Sequence, residues 1–143
     1  MPGPFRSSDE LREVLDRLFR EMQADEALAP RLAQLRVAHE LRITDADLLL
    51  QARSLPPGSP VAGEWQWPTS REQRWPVAVR FAMSADVLNR YLHGLEPLVL
   101  AVARRRIRVS GDAKAALAVI PLRERTTEIY ERLVAADYPH LVG

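Results

Sequence analysis

The side chains able to do acid–base or metal chemistry near neutrality are three histidines, His39, His93 and His140. They lie far apart in the chain, and no two have the spacing of metal ligands on a shared element. A strand histidine, a helix-end histidine near the negative end of a helix dipole and a histidine near the C-terminus each have an ordinary structural use. No cysteine is present, which excludes disulfides, thiolate nucleophiles and thiolate metal sites. Ser84, Ser110 and Asp112 do not sit in a Gly-x-Ser-x-Gly nucleophile motif, and no glycine-rich phosphate loop occurs. Nothing pairs an acid, a base and a nucleophile at useful spacing. Catalysis is therefore not expected, nor is a bound cofactor or metal.

Charge and aromatic content offer two further constellations. Arg104, Arg105, Arg106 and Arg108 form a basic knot. It suits a phosphate, a coenzyme A group or a lipid headgroup, and equally a solvated turn paired with Glu96, Asp112 or Glu124. A formal net charge of +1 favours the solvated turn. Trp65, Trp67 and Trp75 interleave with arginines, as in proteins that stack single-stranded nucleic acid. No basic stripe extends from them, so nucleic acid is not an expected partner.

Composition bounds what must carry these residues. Hydrophobic residues make up 47% and charged residues 27% of 143 positions, as in a single folded domain. Lys114 is the only lysine, a signature of genome composition or high temperature. The start, MPGPFRSSDE, has no apolar core of a signal peptide, and the longest apolar run, Leu98 to Ala103, falls far short of the roughly 20 residues of a membrane span. A cytoplasmic protein without stable membrane insertion is expected.

Residues 1–6 are expected to be a loose end. Ser7 and Glu10 have capping-box spacing, and Leu11, Val14, Leu15, Leu18, Phe19 and Met22 share one helical face. A shorter helix is expected over Asp25–Gln34, limited by Pro30 or starting on it. Strands are expected at Val37–Ile43 and Leu48–Arg53, joined by a turn at Thr44–Asp47, then at Glu64–Trp67 and Val77–Met83. Val77, Val79, Phe81 and Met83 face one way there. A helical stripe, then period-two runs, then helices again, argues an α+β fold with a mostly antiparallel sheet.

From Met83 to Leu122 the pattern is denser. Ser84 is a helix cap ahead of Val87, Leu88, Tyr91 and Leu92, and Gly94 stands where such a helix would end. Leu95, Leu98, Val99 and Val102 repeat the helical spacing. Ile107 and Val109 alternate with arginines as a strand, Gly111 turns and Asp112 caps. Ala113 to Ile120 is apolar almost all round, which predicts a helix buried on every side. So much apolar surface in so short a chain calls for a wide core, or for a cavity completed by a hydrophobic ligand or a partner. A last helix is expected over Thr126–Ala136 with Ile129, Tyr130, Leu133 and Val134 inward. Residues 139–143 are expected to be loose, although Tyr138, Leu141 and Val142 could cover something.

The run of a strand, SADVLNRYLHG, LEPLVLAVARRRIRVSGD and AKAALAVIPL resembles the sterol carrier protein type-two domain. The likeness spans Val77–Leu122 well and the first helix and hairpin loosely. The sequence departs from the family pattern at Arg105, where the family usually carries a glycine, and in the Pro- and Trp-rich Ser54–Pro76 region.

The resemblance implies a five-stranded, largely antiparallel sheet covered on one face by helices, with an apolar tunnel between them. It implies non-covalent binding or transfer of lipids: fatty acid, acyl-CoA, sterol or isoprenoid. On that reading Phe81, Met83, Leu88, Leu92, Leu98, Val102, Leu117 and Ile120 line the tunnel. Trp65 and Trp67 form a wall, and Leu133 or Tyr138 a lid. Each of these residues also reads as plain core, the commoner role for its type. A second reading is a non-enzymatic interaction protein, in which the tryptophans and the surplus apolar surface form a homodimer or dock on a partner.

Overall fold

The computed structural model describes residues 2–56 and 58–142. The first helix, α1, spans Ser8–Ala24, and Ser7 caps it by accepting a hydrogen bond from the Glu10 amide. Glu10 reaches back to the amide of Arg6 at 3.1 Å, one residue earlier than a strict capping box. Leu11, Val14, Leu15, Leu18 and Met22 are buried on one face, as the spacing predicts. Asp25 ends this helix, and its carboxylate accepts from the amides of Ala27 and Leu28. Helix α2, Ala29–Leu35, then starts with Pro30 in its first turn, where a missing N–H costs nothing.

The strands are β1 (Ala38–Ile43), β2 (Leu48–Ser54), β3 (Gly63–Gln66), β4 (Val79–Met83) and β5 (Arg108–Gly111). They form one five-stranded sheet in the order β3-β2-β1-β4-β5. Every neighbouring pair is antiparallel except β1 and β4, which run parallel. The register sorts the sheet into two faces. Leu41, Leu50, Phe81 and Val109 align across one side, while Glu40, Gln51, Arg80 and Ser110 align across the other. The helices α1, α3 (Ala85–Leu92) and α6 (Arg123–Asp137) bring their apolar faces into one core with the first of these sides.

Local signals account for the turns. Ser84 caps α3 through the Val87 amide, and Asp112 caps α5 (Ala113–Leu117) through the amides of Lys114 and Ala115. Gly111 has φ +100°, and a Cβ there would strike the carbonyl oxygen of Ala78, so only glycine fits this turn. Tyr130 on α6 is fully buried and donates its hydroxyl hydrogen to Asn89 on α3 at 2.5 Å.

Several expectations change. The N-terminal segment is not loose: Phe5 is fully buried in the core. The C-terminal segment is packed as far as Leu141, also fully buried, whose carbonyl lies 2.6 Å from the His93 imidazole. In each case a single large apolar side chain holds the segment down; Met1 and Gly143 lie outside the described residues. The apolar stretch from Ala113 is not buried all round. Helix α5 ends at Leu117 and buries only the small faces of Ala115 and Ala116, while the 3-10 turn Ile120–Leu122 that follows buries Leu122. Leu117 is 54% exposed. Helix α4, Leu98–Ala103, buries Leu98 and Ala101 and turns Val99 and Leu100 to solvent.

Candidate functional site

Between the helices and the apolar side of the sheet lies a half-open cavity of about 220 Å³. Leu15, Leu18, Phe19 and Met22 of α1 form one wall, with Leu32 and Leu35 of α2 beside them. Leu41, Leu50 and Ala52 make the floor from β1 and β2, and Phe81 and Met83 continue it on β4. Leu88, Tyr91 and Leu92 of α3 and Leu98 of α4 close the far side. The strands put these residues on one face by alternation, and α1 and α3 by their helical stripes.

Apolar side chains dominate the lining, which Gln23, Ser54, Thr126 and the ion-paired Arg53 and Glu64 also reach. His39 on β1 stacks on Phe81, with ring centroids 6.4 Å apart and planes 11° apart. Its Nε2 is buried without a hydrogen-bond partner among the described residues. Burial holds its pKa below the usual imidazole range, only partly offset by the nearby Ala115 and Val37 backbone, so the ring is neutral at pH 7. Arg123, at the start of α6, also reaches the lining and makes no ion pair among the described residues. Burial pushes the Tyr91 phenol up, so it stays protonated.

The sequence-predicted site residues divide. Phe81, Met83, Leu88, Leu92 and Leu98 line the cavity together. Trp65 and Trp67 do not; both indole N–H groups turn to the carboxylate of Asp16 on α1, at 2.8 and 2.7 Å. Trp65 instead stacks behind the cavity wall on Phe19, at 5.8 Å between centroids. Val102 faces a different cleft, and Leu117 and Ile120 face solvent because α5 is too short to carry them inward. Leu133 is buried in the core among helices, and Tyr138 is held by Glu13 through its hydroxyl, so neither stands over the cavity. The cavity-lining residues of α1, α2, β1 and β2 are not among those the sequence singles out as ligand contacts. Their apolar periodicity was plain, but periodicity does not distinguish a wall from a core.

The basic knot is partly a paired turn. Arg106 meets the buried Glu96 at 2.6 Å, and Arg90 approaches the same carboxylate at 3.5 Å. Arg105 takes the left-handed conformation, φ +60°. The other two histidines serve packing. His93 lies edge-on to Tyr130 at 5.1 Å between centroids, and His140 meets Glu10 at 2.7 Å.

Neither a scan of protein-family models nor a search of curated protein sequences gives a match. Solved structures do. The sterol carrier protein domain 2 of Helicoverpa armigera superposes with a TM-score of 0.62 at 13% identity, over 81% of this chain and 87% of that one. A ubiquinone synthesis protein, UbiJ-SCP2, gives 0.57 at 13% identity, over 78% and 85%. Sterol carrier protein 2 from Yarrowia lipolytica, in its apo form, gives 0.52 at 12% identity, over 78% and 88%. No helix among the described residues is long and apolar enough to cross a membrane. With its five-stranded sheet, its helical cover and this likeness along four-fifths of its length, the chain has the sterol carrier protein 2 fold.

Proposed function

We propose that the protein is a non-catalytic cytoplasmic carrier of a hydrophobic small molecule of fatty acid, acyl-CoA, sterol or isoprenoid type. The observation that supports this most is the cavity of about 220 Å³, walled by apolar side chains from both helical and sheet layers. That volume exceeds the roughly 150 Å³ of an engineered apolar cavity that takes up benzene. A longer ligand extends out through the open side. Binding needs no specific polar contact, since each Å² of apolar surface removed from water contributes about 25 cal/mol. Arg123 gives an acidic head a partner at the lining. Native mass spectrometry of the freshly purified protein, with organic extraction, should reveal co-purified lipid. A fluorescent fatty acid should bind, be displaced by unlabelled lipid, and fail to bind Ala52→Phe, which fills the floor. No lipid and no displacement would end this reading.

A second reading, self-association, is favoured by the exposed apolar side chains around α4. Leu95, Val99, Leu100 and Val102 are between 38% and 63% exposed. The tryptophans do not support it, because Trp65 and Trp67 point inward to Asp16. Light scattering should show a dimer that Val99→Asp dissociates; a monomer at every concentration would remove it.

A further inference from the structure

The face of the sheet away from the helices carries a second feature. An open cleft of about 580 Å³ lies over β1, β4 and β5, where Arg42, Arg80, Arg105 and Arg108 meet Glu40 and Ser110, with apolar side chains such as Val102 of α4 and Ile107 also at its lining. Strand register builds its floor. Arg42 and Arg108 stand on either side of Ala82, and Glu40 and Ser110 on either side of Arg80. Arg42 and Arg108 therefore start about 10 Å apart across a small side chain. Four guanidinium groups face one carboxylate. Glu40 is already engaged, by Gln51 at 3.0 Å and by Arg80 at 3.4 Å. Arg42, Arg105 and Arg108 have no acidic partner among the described residues, so Glu40 leaves most of the positive charge of this cleft uncompensated. Like charges gathered on one sheet face repel one another, so the array is unfavourable when empty.

The backbone supplies an independent observation. Helix α4 ends in a Schellman motif: the Arg106 amide donates to Ala101 and the Arg105 amide to Val102. The residue in left-handed conformation at such an end is usually glycine. Here it is Arg105, as it is Arg36 at the end of α2, and the Arg105 side chain lines the cleft.

We propose that this cleft binds a ligand bearing phosphate groups, most favourably a diphosphate, clamped by Arg42, Arg105 and Arg108. Guanidinium forks match phosphate oxygens in paired hydrogen bonds, and the spacing across Ala82 accommodates more than one phosphate. Arg42, Arg80 and Arg108 stand on the opposite face of the sheet from the apolar cavity, with Glu40 and Phe81 bordering both.

The test titrates the full chain with sodium pyrophosphate, following backbone amides by NMR and heat by calorimetry. Shifts should gather at Arg42, Ala82, Arg108 and Ser110, and the Ala52→Phe variant should bind equally well. Arg42→Ser with Arg108→Ser should weaken binding by about tenfold or more, the worth of a charge-assisted contact. Arg105→Gly should weaken it too while raising thermal stability, so that lost binding cannot be lost folding. Phosphatidylcholine vesicles with and without phosphatidic acid separate the sources. Sedimentation only with phosphatidic acid, reversed by pyrophosphate, assigns a lipid headgroup; pyrophosphate binding without sedimentation assigns a soluble ligand. Absence of both, or binding unchanged in these variants, would overturn the proposal.

Discussion

Gly94 and Arg105 occupy the same station at the ends of two successive helices, with φ of +78° and +60°. At each, the following amide closes back onto the helix, Leu95 to Arg90 and Arg106 to Ala101. Glycine adopts this conformation freely, whereas an L side chain costs roughly 1–2 kcal/mol. Arg105→Gly should therefore stabilise the fold by about 1 kcal/mol in chemical denaturation. Gly94→Ala should destabilise it by a similar amount. Unchanged stability in the first variant would show that the arginine conformation carries no strain.

One carboxylate oxygen of Asp16 accepts from two indoles. Asp16→Ala leaves both N–H groups half-buried without that partner, a loss of about 1–3 kcal/mol per unsatisfied group. Asp16→Asn keeps an oxygen acceptor and should cost less. Urea denaturation gives the energies, and a red shift of tryptophan emission in the alanine variant reports wetting of Trp65 and Trp67.

His39 makes stability depend on pH. Its folded pKa lies below the ordinary value of 6.5 because burial disfavours the charged ring. The unfolded chain takes up the proton first as pH falls. Its contribution is thus fully present above about pH 6.5 and is lost as pH drops below that value toward the folded pKa. Melting temperature should fall between pH 7.5 and pH 5, and His39→Phe should flatten that slope. Asp25 loses stability only at lower pH: its hydrogen bonds from Arg125 hold its carboxyl below 3.8, so its contribution decays as pH falls through that range.

Leu50 is 2% exposed and forms part of the cavity floor. Leu50→Ala enlarges a void already present and should cost about 2–5 kcal/mol. If the cavity takes a ligand, a bulkier analogue should restore part of that loss in a thermal-shift assay.

The features legible in the sequence were local ones. Ser7, Ser84 and Asp112 cap where their spacing says, Gly111 turns, and Ile129, Tyr130, Leu133 and Val134 face inward on α6. Helix α4 was not legible, because all six residues of LVLAVA are apolar and spacing then defines no face. The spacing puts Leu95, Leu98, Val99 and Val102 on one face; of these the structure buries only Leu98, and it buries Ala101 beside it. Asp16 sits on the charged side of its helix, and nothing local says that two tryptophans some fifty residues later reach it. The anchoring role of Phe5 is equally non-local. Phe5→Ala should cost about 3–5 kcal/mol, whereas a truly loose end would tolerate it within error.

The sheet is open, and both of its outermost strands, β3 and β5, are only four residues long. One end is pinned by indoles fastened to a helix, and the other starts at Arg108 and stops at the Gly111 turn. So brief and encumbered a border offers a second chain little ladder to extend. Copies of this molecule that meet will do so side chain against side chain, and the hollow under the sheet leaves its resistance to fibril growth intact.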